Sequence, residues 1–227
     1  DEGELARIRA AAALADEVMA HAHVVARPGV TEQQLRVEME TVMLRAGSER
    51  VAFDFIVAGG PNSAKCHARP GDRELAAGDL LLLDLGCVVD GYHSDITRTF
   101  ALASATDTQR RIYAVVHQAL LAGMAAVKPN ASAREVDAAA RDIITAAGHG
   151  DDFGHSLGHG VGLQVHEGPS LSPVSEDILR AGQVVTVEPG IYVEGLGGVR
   201  LEQLCLVTES GCESLSKAPC PAELPVV

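Results

Sequence analysis

The residues best suited to chemistry in this sequence are acidic side chains and histidines inside apolar or glycine-rich segments. Five are candidate metal ligands: Asp84, Asp95, His159, Glu188 and Glu202. A buried carboxylate is costly unless a proton or a cation compensates its charge. Carboxylate oxygens with a single imidazole suit Mn²⁺, Co²⁺, Fe²⁺ or Zn²⁺ better than a thiolate-binding ion. Because these carboxylates carry more charge than one divalent ion neutralises, the set favours a two-metal hydrolytic centre.

Asp84 and Asp95 belong to one predicted β-hairpin. Residues 80–89 are apolar and partly β-branched, which predicts a buried strand, and Asp90-Gly91 is typical of a two-residue turn. That turn pairs Asp84 with Thr97, and alternation along the strands places both aspartates on one face as diagonal neighbours. The hairpin alone leaves two interpretations open: a metal site, or one aspartate capping a turn while the other is solvated.

Three histidines cluster in the segment GHSLGHGVGLQVHEGP, residues 154–169. They are His155, His159 and His166. The surrounding glycines allow the backbone to approach a bound group closely. A single loop histidine is commonly solvated, but three in one short segment indicate a functional site.

The two glutamates lie in apolar segments near the end of the chain. Glu188 precedes Pro189 in VVTVEPGIYV, and the proline predicts a sheet edge or a bulge because it cannot donate a ladder hydrogen bond. Glu202 lies in GVRLEQLCLV, where Arg200 shares its strand face. For Glu202 the alternative to a metal site is a structural Arg–Glu pair.

The elements that must position these residues begin with two helices. The first is predicted from Glu2 to Ala26, where Arg27-Pro28-Gly29 ends it, and the second runs from a Thr31 cap to Ala46. A strand is predicted over 53–57. His67 follows in a loop.

The same series recurs after Phe100, which indicates an internal duplication. Lys128-Pro129 stands 101 positions after Arg27-Pro28, and Ser132 with Glu135 predicts a capping box for the second helix of the repeat. Allowing small insertions, the acidic positions also match, Asp84 with Glu188 and Asp95 with Glu202. The sequence therefore predicts two pseudo-symmetric ααβ halves, residues 1–103 and 104–227, with the site between their sheets.

Composition narrows the class of protein. The chain has 227 residues, 47% hydrophobic content and a net charge of −13. It has no basic stripe for nucleic acid and no apolar run long enough to cross a membrane, so a cytoplasmic protein without nucleic-acid or membrane partners is expected. Five cysteines without a C-x-x-C pair predict reduced thiols. Cys66, beside His67, has no recognisable base for a nucleophilic role.

Four motifs in this order and spacing resemble one family of enzymes. They are D-x-G-x(4)-G-Y-x-x-D-x-T-R-T-F from Asp84, G-H-G-x-G-L-x-V-H-E from Gly158, E-P-G-x-Y from Glu188 and G-V-R-x-E from Gly198. The chain resembles, over essentially its whole length, the catalytic domain of pita-bread-fold metallopeptidases. It is most similar to the Xaa-Pro aminopeptidases and Xaa-Pro dipeptidases (prolidases).

The resemblance implies an α/β (α+β) pita-bread fold with a central curved antiparallel sheet, formed by residues 1–227 as one catalytic domain. It also implies two divalent metal ions, manganese foremost, held by Asp84, Asp95, His159, Glu188 and Glu202, with Asp95 and Glu202 bridging. Glu188 would also move protons. His67 and His166 would steady the substrate and intermediate, and His155 and Arg200 would line the proline pocket. The expected partners are short peptides with proline in the second position. The resemblance leaves open whether the protein forms a homodimer.

Departures from the family pattern leave alternatives. Gln203 replaces the usual Asp or Asn after the last ligand. The N-terminal domain that relatives usually carry is expected to be absent, which predicts an open cleft and cleavage of peptides of three or more residues in preference to dipeptides. Methionine aminopeptidase activity is the alternative among enzymes, although those enzymes typically have Gln-Phe before and His after their final glutamate. A non-catalytic peptide-binding domain and a metal-free amidine hydrolase are the others.

Overall fold

Helices and strands follow one another in two similar series along the chain. The computed structural model describes residues 1–227. Its helices are α1 Glu2–Val25, α2 Glu32–Arg45, α3 Asp107–Ala126 and α4 Ala133–Ala146. The strands are β1 Ile56–Gly59, β2 Leu80–Leu85, β3 Val88–Val89, β4 Tyr92–His93, β5 Ile96–Ala101, β6 Gly158–Gly160, β7 Glu167–Leu171, β8 Val184–Val187, β9 Gly190–Val193, β10 Gly197–Arg200, β11 Gln203–Val207 and β12 Cys212–Ser214.

Matching backbone contacts confirm the repeat between the halves. Helices α2 and α4 have the same length and are offset by the predicted 101 positions. Before α2, the N–H of Gly29 donates to Leu75, and before α4 the N–H of Asn130 donates to Leu179 in the same way. Gly29 and Asn130 also share a positive φ, of 88° and 64°. The turns that lead into α2 and α4 therefore have the same backbone conformation and the same type of hydrogen bond.

The predicted capping box at Ser132 is wrong. Its side chain makes no capping hydrogen bond to α4. Instead the backbone pairs Ser132 with Ile178, and the N–H of Ala133 donates to Asp177. Equivalent backbone bonds stand at the start of α2, where the N–H of Glu32 donates to Arg73, so α4 differs from α2 in lacking the side-chain cap. Helix α2, by contrast, has the cap predicted at Thr31, and the structure extends it to a capping box with Gln34.

The strands pair antiparallel in four segments. Their orders are β1-β2-β5, β12-β11-β8-β6-β7, β9-β10 and β3-β4. The hairpin has the predicted register, with Asp84 opposite Thr97, and both turn residues have positive φ, 47° at Asp90 and 81° at Gly91. Helices α1 and α2 pack on β2 and β5, while α3 and α4 pack on β8 and β11. Part of the opposite face of the second sheet is covered by α1, whose Ile8 and Ala12 pack with Val184, Leu204 and Leu206.

Four predicted strands are shorter or broken. The strand predicted over 53–57 begins at Ile56, and the strand predicted over 80–89 stops at Leu85 and resumes at Val88. The strand predicted over 184–193 stops at Val187 and resumes at Gly190. The strand predicted over 198–207 is interrupted at Leu201-Glu202. The interruption has a physical cause: the N–H of Glu202 donates to Thr97 in the other half of the chain, at 3.2 Å. The candidate ligand Glu202 therefore lies in the gap between β10 and β11.

The structure also describes the length of the helices and the state of the cysteines. None of the helices combines the length and the apolar character needed to cross a bilayer. All five cysteines are free thiols, as their spacing predicts.

Candidate metal centre

Three carboxylates from separate strand ends converge in the interior. Asp84 lies in β2, Asp95 precedes β5, and Glu202 lies between β10 and β11. All three are buried, and one oxygen from each lies within 4.8 Å of the others. Such a cluster of like charges is unfavourable unless protons or cations occupy it.

Two oxygens in this cluster are completely buried and have no hydrogen-bond partner. They are Oδ1 of Asp84 and Oε1 of Glu202, both buried. The other oxygen of each group is fixed by the protein: Arg200 donates to Oδ2 of Asp84, and the Thr97 hydroxyl donates to Oε2 of Glu202 at 2.7 Å. Each carboxylate is thus held by one oxygen and presents the other unpartnered. Buried unpartnered acceptors are rare in folded proteins, and this pair fits bound cations.

His159 and Glu188 complete the constellation. Nε2 of His159 lies 3.2 Å from Oε1 of Glu188 and 3.7 Å from Oδ2 of Asp95. Nδ1 of the same ring lies 3.1 Å from the carbonyl oxygen of Gly160. With Nδ1 donating to that carbonyl and Nε2 donating to Glu188, a cation that displaced the Nε2 proton would find a lone pair there, the arrangement that metal-binding histidines use.

Burial and mutual repulsion raise the pKa values of the three clustered carboxyls. Burial raises the pKa of Asp84, although the charge of Arg200 opposes it. Burial, followed by repulsion from Glu202, places the pKa of Asp95 well above its usual value. Burial, followed by repulsion from Glu188, does the same for Glu202. Without cations these carboxyl groups hold their protons more tightly than usual. A bound cation would relieve the same repulsion between them.

Glu188 behaves differently from the other acids. Burial raises its pKa, but the hydrogen bond and charge of His159 outweigh burial, and the pKa lies below the usual value. Burial lowers the pKa of His159, but Glu188 outweighs it and the pKa is raised. The Thr186 hydroxyl orients the pair, because it donates to Oε1 of Glu188 at 3.1 Å and accepts from the N–H of His159 at 3.0 Å. Glu188 is therefore an ionised acceptor in position to take a proton.

The constellation opens into a cavity of about 480 Å³. Glu202 lies behind the wall, whereas the other four candidate ligands line the cavity. His67 and His166 are exposed at its mouth, and the ring centroid of His166 lies 4.3 Å from that of His159. The remaining wall contains Phe53, Asp54, Phe55, Ile56, Cys66, Ala68, Arg69, Pro70 and Ser156.

One side of the cavity is built around Arg200. Besides Asp84, its guanidinium donates to the Tyr192 hydroxyl at 2.8 Å and to the Thr97 hydroxyl at 3.0 Å. His155 reaches the same tyrosine, with Nε2 2.9 Å from its hydroxyl. Since Arg200 is only 3% exposed, most of its donors serve protein groups. It holds Asp84 and Tyr192 in place while its edge faces the cavity.

Sequence reasoning did not assign three residues of this site: Thr97, Thr186 and Tyr192. Thr97 stands two positions after Asp95, so strand alternation places it on the same face. Thr186 stands two positions before Glu188 for the same reason. Tyr192 is the last position of the E-P-G-x-Y motif, but the motif does not show its role, which depends on the contact with Arg200 across β9 and β10.

Comparison with known proteins assigns the chain to a family. Residues 6–209 match the profile of metallopeptidase family M24. The chain belongs to metallopeptidase family M24. It is 42% identical over 214 residues to a Xaa-Pro dipeptidase of Pyrococcus furiosus, a match that covers 94% of this chain and 62% of that protein.

Solved structures of the family superimpose closely on the chain. A Xaa-Pro dipeptidase from Bacillus anthracis is 41% identical with a TM-score of 0.97, covering 100% of this chain and 63% of the other. An X-Pro aminopeptidase from Thermotoga maritima is 36% identical with a TM-score of 0.96, covering 100% and 64%. These matches confirm the pita-bread fold. The chain spans about three fifths of the length of the curated relatives it matches.

Proposed function

We propose that the chain is the catalytic part of a metal-dependent exopeptidase that hydrolyses the bond between an N-terminal residue and proline. The pair of unpartnered oxygens on Asp84 and Glu202, beside a histidine-lined cavity, is the observation that carries the proposal. Membership of a metallopeptidase family supports it, as do relatives described as Xaa-Pro dipeptidases. Residues 1–227 act as one catalytic domain in this proposal.

The proposed ligands of two divalent ions are Asp84, Asp95, His159, Glu188 and Glu202. In this proposal Asp95 and Glu202 would each serve both ions. Asp95 lies within reach of both His159 and the other clustered acids. Two bound ions, with manganese foremost, would supply Lewis acidity and lower the pKa of water at neutral pH. The mixed oxygen and nitrogen set is compatible with Co²⁺, Zn²⁺ and Fe²⁺ as well.

The chain's own residues then handle the proton and the substrate. Glu188, ionised and oriented by Thr186, takes the proton of the attacking water and passes it to the departing imino nitrogen of proline. His67 and His166, at the mouth of the cavity, donate to the oxygen that gains charge as the peptide carbonyl becomes tetrahedral. His155 and Arg200, linked through Tyr192, form the wall against which the proline ring packs.

The proposed substrates are short peptides with proline in the second position, and dipeptides are the smallest of them. The relatives described as dipeptidases support dipeptides, while the relative described as an aminopeptidase supports longer peptides. The preference for three or more residues, expected from an open cleft, stays a prediction.

A comparison of Ala-Pro, Ala-Pro-Ala and Met-Ala-Ala tests the reaction, with Mn²⁺, Co²⁺ or Zn²⁺ supplied in turn. We expect metal-dependent release of the residue before proline, and no comparable cleavage of Met-Ala-Ala. Preference for Met-Ala-Ala would replace the proposal with a methionine aminopeptidase. No cleavage of any peptide by metal-loaded protein would favour a binding domain.

Two ligand variants test the metal site separately. Asp95→Asn and Glu202→Gln should each lose bound metal and activity together, because each removes a charge that both ions share. Asp90→Asn is the matched control, since Asp90 lies in the turn of the same hairpin with a side chain 70% exposed. Full occupancy by two ions in both ligand variants would contradict the bridging assignment.

A further inference from the structure

Glu32, outside the proposed catalytic machinery, is a fully buried carboxylate. It is the first residue of α2 and is 0% exposed. Oε1 accepts hydrogen bonds from the N–H of Gly59 at 2.9 Å and from the Asn62 amide at 3.0 Å. Oε2 accepts from the N–H of Gly71 at 3.2 Å and from the same amide at 3.2 Å. One side chain thus joins both ends of the segment 59–71.

The backbone at the start of α2 reinforces this junction. The N–H of Glu32 donates to the carbonyl of Arg73 at 3.1 Å, and the N–H of Gln33 donates to Gly71 at 3.0 Å. The first N–H groups of a helix lack partners within the helix, so these bonds satisfy the helix and the segment together. The end of segment 59–71 nearest Gly71 therefore rests on α2 through both side-chain and backbone contacts.

The segment that Glu32 closes carries His67. It begins with the short 3₁₀ helix Gly60–Ala64, and its residues 66–70 form one wall of the cavity. His67 is exposed, in contrast to the buried carboxylates it faces. Because the His67 ring is not enclosed by the core, its position depends on the backbone of segment 59–71.

We infer that Glu32 is a positioning residue for His67: it fixes the ends of segment 59–71 and so sets where the histidine stands relative to the metal centre. The inference rests on the proposed function, which gives His67 a role in stabilising the developing charge. A carboxylate suits this position because both of its oxygens accept. Glutamine in its place would turn an NH₂ group towards a backbone N–H or towards the Asn62 amide, so at least one donor would lose its acceptor.

The second half of the chain shows that this anchor is not a general feature of the fold. The position 101 residues after Glu32 is Ala133, which cannot accept a side-chain hydrogen bond. There the pocket histidine is anchored from a different place on the helix: Arg141 of α4 donates to the carbonyl of His155 at 2.8 Å, and Asp137 accepts from the N–H of Leu157 at 3.0 Å. Each half therefore anchors its own histidine segment with unrelated residues.

Kinetics of Glu32→Gln test the inference. A displaced catalytic donor lowers the rate without weakening substrate binding, so we expect kcat to fall by roughly 10- to 100-fold. KM should change by less than about twofold, and the metal content should match that of the wild type. Glu38→Gln is the control, because it makes the same chemical change on the same helix at a side chain that is 52% exposed.

A double-mutant cycle separates positioning from general stability. If Glu32 acts through His67, adding Glu32→Gln to His67→Ala should lower kcat no further than His67→Ala alone. A merely structural role would leave the kcat of folded, metal-loaded Glu32→Gln unchanged, or would make the two losses multiply. Either result would overturn the inference.

Hydrogen exchange gives a readout that does not depend on activity. In Glu32→Gln, exchange should accelerate in segment 59–71 while the strands that carry the metal ligands keep their protection. Unchanged exchange there would overturn the inference even if the wild type hydrolyses Xaa-Pro peptides. Absence of hydrolysis by the wild type would instead refute the proposed function, and the exchange measurement would still decide whether Glu32 holds the segment.

Discussion

The hydroxyl of Thr97 donates to Oε2 of Glu202 at 2.7 Å, a contact between side chains 105 positions apart. Oγ1 of Thr97 also accepts a hydrogen bond from Nε of Arg200 at 3.0 Å. A hydroxyl has one proton, so with Arg200 as donor on one side that proton points to Glu202. The orientation of the last candidate ligand is thus set from the opposite half of the chain.

Thr97→Val should weaken metal binding without destroying the site. Valine is similar in shape but cannot donate to Glu202, and loss of such supporting contacts typically lowers metal affinity by roughly 10- to 100-fold. Titration of metal-free protein would measure the change. Thr97→Ser keeps the hydroxyl and should restore most of the affinity; equal affinities for the valine and serine variants would contradict this role.

His166→Ala should lower kcat by on the order of 100-fold, the scale of a lost transition-state donor. Its ring lies against His159, at the mouth of the cavity. Steady-state kinetics on a Xaa-Pro peptide would measure the effect, with metal occupancy checked in parallel. A variant with unchanged kcat and a raised KM would assign His166 to ground-state binding instead.

Metal-free protein should become less stable as pH rises from the ordinary carboxyl pKa, about 4, through the raised pKa values of Asp95 and Glu202. Burial and then repulsion raise the pKa values of Asp95 and Glu202, so the folded state binds more protons than the unfolded chain in this window. Their favourable contribution is full below the ordinary carboxyl pKa and is lost as pH rises through the raised values. Urea unfolding in the presence of a chelator would measure it. Asp95→Asn should show a shallower decline, and identical declines would refute the assignment.

Arg141→Lys should raise KM for Xaa-Pro peptides by roughly three- to tenfold while metal content stays unchanged. Arg141 donates two hydrogen bonds to the Asp137 carboxylate and one to the carbonyl of His155. Lysine cannot reproduce all of these contacts. Arg134→Lys, on the exposed side of the same helix, is the control. A selective effect on kcat would show that the His155 segment serves the chemical step rather than binding.

Local signals in the sequence were sufficient for the helices and the central hairpin. Pro and Gly mark the helix ends at equal spacing in both halves, and Asp90-Gly91 sets the strand register because both turn residues adopt positive φ. These features depend on neighbouring residues. They can therefore be predicted without knowledge of the tertiary structure.

Features that depend on distant contacts could not be predicted in the same way. The break before Glu202 arises because its N–H bonds to Thr97, and the start of α4 is satisfied by Asp177 rather than by a capping side chain. Glu32 looks like an ordinary acidic residue in the first turn of a helix. Only the fold brings segment 59–71 over it and makes it a buried anchor.

The proposed ligands are divided between the two halves, and this division bears on when the protein acquires its metal. Asp84 and Asp95 come from the first half, whereas His159, Glu188 and Glu202 come from the second. During synthesis, roughly ten seconds of translation separate the first pair from the last ligand, at typical elongation rates. A nascent first half would offer two carboxylates and no nitrogen. Stable capture of the ions is therefore a late event, completed only when the two sheets have come together.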